Sequence, residues 1–564
     1  MAMMELAAPG RDRRGWTGLQ IDARDLTQLV DHGRMTLQDV SLTVGRGQLV
    51  AVAGASGSGK TTLLDALAGT HPAARGSVHY DGVDYYANLD SFRSMLGYVP
   101  QDDIIHTELP LRRTLRYAAR LRLPAGTPAA EADRAVDEVL RILELTDHAD
   151  VRIGRLSGGE RKRASIAVEL LTQPRAFFLD EPTSGLDPAM AAEFIAHLRR
   201  IAELGTTVVF TTHNPADIAP CDEVVFLTQD GRLAFAGPPA DACRYFQTAG
   251  VEGVYQRLAA GDTPTWTEAP TVAPLTKPST TGPRGDRQVG AFAQWWLLTR
   301  RNLAILASNR LTLAILVGSP VAVLLMIVVL FRPNAFDAAN PSPSATAMIL
   351  FWLAFGGFFF GLTYGLLQVC TEIAVVRRER FVVLRIGPYL LAKLGVLLPL
   401  LAVVDAAMLA VLRATDRLPA ADWPTYGSLF ITLLLSSAAA LALGLLASAA
   451  VSEPGQATMA LPMLCFPQVL FSGAILPVPL MAAAGKVLSF PMSNRWTFEA
   501  LGRGVDLNTL WAEGGSPLGP PLLASYGDTF SRPVQLDWAI LAGFTVLLLI
   551  WTWVLIVRKG SGRR

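Results

Sequence analysis

Cysteine is scarce. Four residues in 564, Cys221, Cys243, Cys370 and Cys465, lie too far apart for a zinc cluster or a disulfide framework and read as small buried hydrophobes. Charge is scarce as well: Asp, Glu, Lys and Arg make up 17% of the chain and nearly cancel, at a net +1. A nucleic-acid footprint needs a basic stripe, so nucleic acid is not an expected partner. The amino-terminal stretch carries Arg11, Arg13 and Arg14 with no apolar core behind them, so no secretory signal is expected and the first domain is read as cytosolic. Apolar residues, by contrast, are plentiful: 51% of the chain is hydrophobic and the mean hydropathy is +0.34. The chain is too long for one domain and too apolar to be wholly soluble. A part-soluble, part-membrane protein is expected.

The stretch that organises the first half is Gly54-Ala55-Ser56-Gly57-Ser58-Gly59-Lys60-Thr61. It follows the apolar run Leu49 to Ala53 and precedes the helix-like Thr62 to Leu67. Glycines let the backbone curl so that successive N–H groups face phosphate oxygens, Lys60 reaches the outer phosphates, and the Thr61 hydroxyl ligates Mg2+. The following helix presents its N-terminus, including Thr62, to the same anion. A nucleoside triphosphate is the expected ligand.

Downstream, Arg175 to Leu179 is a buried-strand run ending in Asp180 and Glu181. Alone it would also fit a plain strand terminus; in company with Lys60 it reads as a metal-holding Asp180 and a water-orienting Glu181. Between the two motifs lies Leu156-Ser157-Gly158-Gly159-Glu160, at the start of a helical pattern. Ser157 is an N-cap candidate, but a cap does not need two glycines behind it, and bare backbone plus hydroxyl makes a second phosphate-binding helix start.

This last stretch resembles the signature motif of the ABC ATPases. Gln101, after Leu96-Gly-Tyr-Val-Pro, resembles their Q-loop; Ser184-Gly185-Leu186-Asp187 resembles their D-loop; His213, after Thr206 to Thr212, resembles their switch histidine. The resemblance implies an α/β P-loop ABC ATPase domain over 18–255, with ATP and Mg2+ as cofactors. It implies Glu181, His213 and Gln101 as catalytic residues, Thr61, Gln101 and Asp180 around the metal, and Ser157 and Gly159 capping the γ-phosphate held by a second subunit. Since there is one such domain, a dimer with a second half-transporter is implied, a homodimer being favoured. Many of these ATPases stack an aromatic on adenine; the matching stretch, Leu29-Val30-Asp31-His32-Gly33, holds none.

Residues 256–290 are rich in Pro, Thr and Gly and are expected to form a linker. Residues 291–310, with Trp295, Trp296, Arg300 and Arg301, are expected to form an interfacial helix. Six apolar runs then follow over 311–557: Leu311 to Phe331, Ala345 to Val369, Tyr389 to Leu412, Ser428 to Val451, Ala457 to Pro477 and Leu536 to Val557. A span takes ~20 helical residues, so an all-α six-helix transmembrane domain is expected. Residues 478–535 are expected to form an irregular external cap. Arg300, Arg301 and Arg310 before the first run, Arg377, Arg378, Arg380 and Arg385 after the second, and Arg558 and Lys559 after the last place both termini in the cytoplasm of a multi-pass plasma-membrane protein.

An ATPase domain ahead of six spans resembles the White-type G subfamily of half-transporters, as do Ser157-Gly-Gly-Glu-Arg-Lys-Arg163 and Phe471-Ser-Gly-Ala-Ile-Leu-Pro477. The resemblance implies ATP-driven export of a hydrophobic or amphiphilic substrate. Phe355 and Phe359 of the second span and Phe466 of the fifth are candidates for lining a substrate cavity, with packing against lipid and neighbouring helices as the plainer reading. A non-transporting regulator and an importer are the other functions weighed. Asp405, inside the third span, is an expensive charge whose partner the sequence does not name. Arginine far outnumbers lysine and no Asn-X-Ser/Thr acceptor occurs, a composition that points to a GC-rich bacterium.

Overall fold

The computed structural model describes residues 17–30, 34–260 and 289–560. Most of the expected linker, and Asp31 to Gly33 ahead of the phosphate loop, lie outside the described residues. The chain divides into two compact units: one is Met1–Gly290 with Arg378–Leu384, the other Ala291–Arg377 with Arg385–Arg564.

The first unit is α/β. A six-stranded sheet has the order β10-β9-β3-β8-β7-β6, and a four-stranded sheet the order β2-β1-β4-β5. The strands are β1 (Ile21–Val30), β2 (Arg34–Val44), β3 (Leu49–Ala53), β4 (Arg75–Tyr80), β5 (Val83–Asp84), β6 (Leu96–Val99), β7 (Ala176–Leu179), β8 (Thr207–Thr212), β9 (Glu223–Leu227) and β10 (Leu233–Gly237). In the larger sheet β3, β6, β7, β8 and β9 run parallel, and β10 pairs antiparallel with β9. The smaller sheet is antiparallel.

The central strands are apolar throughout because both faces are covered, as parallel strands require. In β3, Leu49, Ala51 and Ala53 join a core with the helices Leu111–Arg122, Gly158–Leu170 and Pro188–Glu203, whereas Val50 and Val52 face Leu63, Leu64 and Leu67 of the helix Lys60–Ala68. Alternate residues of one strand thus serve two cores, leaving its carboxyl end to deliver the phosphate loop.

The second unit is helical. Among the described residues, five helices are long and apolar enough to cross a membrane: Thr312–Leu330, Pro343–Leu366, Ile386–Ala414, Trp423–Ala450 and Val534–Lys559. The Ala457 to Pro477 run departs from expectation. Its helix covers Pro454–Leu470, 17 residues, at the lower end of the ~17–25 that cross a bilayer. Prolines 462 and 467 lie inside it, and the chain turns at Gly473 with φ +86°. Phe471 to Pro477 therefore sits beyond that helix.

Residues 478–535 are not irregular either. They form helices Ala483–Ser489, Ser493–Gly504, Leu507–Glu513 and Gly519–Tyr526. Ser493–Gly504 is the most deeply set, with Phe498, Ala500, Leu501 and Thr497 fully buried; the Thr497 hydroxyl donates to Ser436 Oγ at 2.8 Å. Pro520 and Pro521 suit the first turn of the last helix, where a missing N–H is harmless. Short buried helices rich in polar residues carry no spanning signal, so hydropathy does not announce them.

Helices Pro343–Leu366 and Trp423–Ala450 pack closely, and small residues make it possible. A Cβ on Gly361 would come within 2.3 Å of Ser437 O, one on Gly365 within 2.6 Å of Leu441 O, and one on Gly444 within 2.5 Å of Leu362 O. Backbone contact of this kind is how apolar helices associate without a hydrophobic driving force. Asp405 finds its partner at this junction: Ser437 Oγ lies 3.0 and 3.2 Å from its two oxygens and 3.1 Å from Gly357 O. Gly361→Leu is expected to separate these helices and abolish the folded chain, read as loss of the monodisperse peak in detergent; an unchanged peak would refute the close packing.

Candidate nucleotide-binding and hydrolysis site

The site is assembled at the carboxyl ends of adjacent parallel strands, the usual position of ligands in such sheets. From β3 the chain enters the loop 54–59, where Gly57 (φ +80°) and Gly59 (φ +89°) hold left-handed backbone that a side chain disfavours. A Cβ on Gly59 would also strike Thr36 O at 2.3 Å. Lys60 opens the helix and is buried, donating to Gly54 O at 3.1 Å and Ala55 O at 3.0 Å. Burial lowers its pKa while Glu181 and Asp180 pull it back up.

From β7 the chain delivers Asp180 and Glu181. Asp180 Oδ1 accepts from Thr61 Oγ1 at 3.0 Å and from Thr211 Oγ1 at 2.7 Å. Burial raises its pKa, and the two hydroxyls oppose that shift. Thr211, on β8, also accepts the Glu181 N–H at 2.7 Å, so one threonine fixes both acids. Glu181 itself has φ +42°, a strained setting of the sort found where side-chain direction matters.

Three of the sequence-predicted residues converge on one atom. Glu181 Oε2 lies 3.3 Å from His213 Nδ1, at the end of β8, and accepts from Gln101 Nε2, just past β6, at 3.5 Å. Asp217, which receives Thr212 Oγ1 at 2.7 Å and Thr183 Oγ1 at 2.6 Å, ties together the loops carrying His213 and Glu181.

The structure places Ser157 at the N-cap of Gly158–Leu170 in a reciprocal capping box. The Glu160 N–H donates to Ser157 Oγ at 3.3 Å, and the Ser157 N–H to Glu160 Oε2 at 2.9 Å, which holds the Glu160 carboxyl below its usual range. Leu156 is buried just before it. Gly158 has open space where a Cβ would be, whereas a Cβ on Gly159 would overlap Met190 Cε. Ser184, Gly185 (φ +77°) and Leu186 form the turn into helix Pro188–Glu203, and Asp187 caps it by accepting from the Ala189 and Met190 N–H groups. Among the described residues no hydrogen bond or ion pair joins Ser157 to Glu160 with the phosphate loop. Ser157→Ala removes the cap, which contributes about 1 kcal/mol, and hydrogen exchange of the 158–161 amides is expected to rise about fivefold; unchanged protection would contradict this role.

Thr211 and Lys162 also hold this site together. Lys162 is buried in Gly158–Leu170 and donates to Gln101 O at 2.5 Å, with burial lowering its pKa. Both act on partners tens of residues distant, which no local pattern announces. The three phenylalanines do not all meet: Phe355 and Phe359 are ring neighbours at 6.0 Å, while Phe466 is 67% exposed and makes no ring contact among the described residues.

The donor set fits a nucleoside triphosphate with Mg2+. Ser58 Oγ, buried at the turn of the loop, has no hydrogen-bond partner among the described residues, and Thr61 with Asp180 offers hard oxygens of the kind Mg2+ takes.

Comparison with known families agrees with this arrangement. Residues 37–184 match the ABC transporter model and residues 293–501 the ABC-2 type transporter model. Over 513 residues the chain is 34% identical to an ABC transporter ATP-binding/permease protein of Mycobacterium tuberculosis, covering 86% of this chain and 58% of that one. It is 38% identical over 243 residues to an ABC transporter G family member of Arabidopsis thaliana (40% of this chain, 32% of that one). It is also 38% identical over 210 residues to a broad substrate specificity ATP-binding cassette transporter of Rattus norvegicus (36% and 32%). The chain thus spans a little over half of the mycobacterial relative and about a third of the others. It belongs to the ABC transporters. Within them it has the ATPase domain ahead of an ABC-2 type, multi-pass membrane domain, as in the G-family proteins.

Proposed function

We propose that the chain is one half of an ATP-driven exporter of hydrophobic or amphiphilic molecules, working as a dimer, homodimer favoured, with both termini cytoplasmic. The observation that carries this reading is the convergence of Gln101, Glu181 and His213 beside the Lys60 loop and the Thr61–Asp180 pair. Thr61 and Asp180, with Gln101, would hold Mg2+, which neutralises charge on the transferring phosphate. Lys60 screens the outer phosphates, Glu181 orients the attacking water and takes its proton, and His213 fixes the Glu181 carboxylate. Ser157 and Gly159 are offered to the nucleotide of a second subunit. The G-family relatives and the exposed apolar faces of the membrane helices, such as Val317, Val321, Leu325 and Val329, support membrane transport. Phe355 and Phe359 are proposed to line the route.

The test is phosphate release by the chain alone in proteoliposomes, across a panel of lipids and amphiphilic drugs, with cross-linking to report the dimer. Stimulation by one chemical class, together with its movement across the bilayer, is the expected result. Steady hydrolysis indifferent to every compound would favour a regulatory role instead.

A further inference from the structure

The helix Pro188–Glu203 carries a cluster that the hydrolysis site does not use. His197, 4% exposed, makes no hydrogen bond through either ring nitrogen among the described residues. One turn earlier on the same face is Glu193, whose Oε1 lies 3.6 Å from His197 Nε2. Glu144, just past helix Ala129–Ile142, completes the group: one ligand atom from each of the three residues lies within 4.8 Å of the others.

We propose that His197, Glu193 and Glu144 form a site for a borderline divalent transition metal of the zinc class. A tetrahedral ion with bonds of ~2.0–2.1 Å separates its ligands by about 3.4 Å, close to the 3.6 Å already present between His197 and Glu193. An imidazole with two carboxylates suits such ions better than Mg2+ or Ca2+, which prefer oxygen alone. Water would supply the remaining position. Two guanidiniums compete for the acids: Arg163 reaches Glu193 Oε1 at 2.9 Å and Arg200 reaches Glu144 Oε1 at 3.3 Å. Arg163 belongs to the helix that starts at Ser157, so an ion that captures Glu193 releases that helix from an ion pair with its neighbour.

The experiment uses the purified full-length chain, stripped of metal, titrated with Co2+ while the visible d–d absorption is followed. Wild type is expected to bind one Co2+ per chain with the intense spectrum of tetrahedral coordination, displaced by Zn2+. His197→Leu, which keeps the buried volume apolar, is expected to lose this signal while ATP binding persists. Arg163→Gln is expected to shift the titration to lower Co2+. A wild type with no tetrahedral spectrum at millimolar Co2+, or one whose spectrum survives in His197→Leu, would overturn the site.

Discussion

Glu181→Gln is expected to lower phosphate release by about 10²–10⁴-fold, the range that a positioned general base supplies, while ATP affinity stays within a few-fold of wild type. The amide keeps the shape of the side chain and can still meet Gln101 and His213, which lie 3.5 and 3.3 Å from Glu181 Oε2. It cannot take a proton. The Glu181 N–H remains held by Thr211 at 2.7 Å, so the loop should not move. Measured side by side, turnover and nucleotide binding separate the two contributions: Lys60→Ala is expected to lose binding as well, because Lys60 is the cation proposed to screen the outer phosphates. If Glu181→Gln hydrolyses ATP at the wild-type rate, proton abstraction lies elsewhere and the role assigned here is wrong.

Why these residues could be found from the sequence, and others not, follows from how each is specified. The phosphate loop needs Gly57 and Gly59 for left-handed backbone and Lys60 for its charge, all within a few positions, so the chemistry is written as a local string. Asp180 and Glu181 follow a strand that must be apolar because both of its faces are covered. The long membrane helices announce themselves by hydropathy alone. Thr211, Lys162 and Ser437 do not, since each acts on a group far away in the chain, and their hydroxyl or amine is common at many other positions. The fifth apolar run outlasts its helix, which ends at Leu470, because hydropathy does not register the two prolines or the left-handed Gly473. The helices of 478–535 were underread because Ser493–Gly504 buries polar residues, Thr497 and Glu499 among them, that hydropathy counts as exposed.

Arg378 illustrates the same limit at the level of electrostatics. The run Arg377 to Arg380 reads in the sequence as a topology signal, yet Arg378 belongs to the first compact unit, where its side chain is 7% exposed. Its Nε donates to Glu169 Oε1 at 2.7 Å, and its terminal nitrogens reach Ile104 O at 2.5 Å and Ser165 O at 2.7 Å. Arg122 grips the same carboxylate in a bidentate pair at 2.6 and 2.9 Å. Glu169 is therefore paired directly with two guanidiniums at once, on the helix whose start carries Ser157.

Glu169→Leu is accordingly expected to destabilise the first unit by about 3–5 kcal/mol, the usual result of stripping the counter-charge from a buried ion pair. Glu379, also buried and electrostatically felt by both arginines, offsets part of this loss. Burial by itself pushes the Glu169 carboxyl up, but Arg122 and Arg378 outweigh it and hold the folded pKa below the ordinary value. A depressed folded pKa contributes stability above the unfolded value, ~4.3 for glutamate, and that contribution disappears as the pH falls through the folded value. Thermal unfolding should therefore separate wild type from Glu169→Leu widely at pH 7 and progressively less in acid. Replacing all three with apolar residues, Glu169→Leu with Arg122→Met and Arg378→Met, is expected to recover part of the loss, because packing can substitute for a buried triad, while Glu379 then loses the attraction of both arginines. A single variant that melts with wild type at pH 7, or a triple variant no better than the single, would show that the triad does not hold this helix in place.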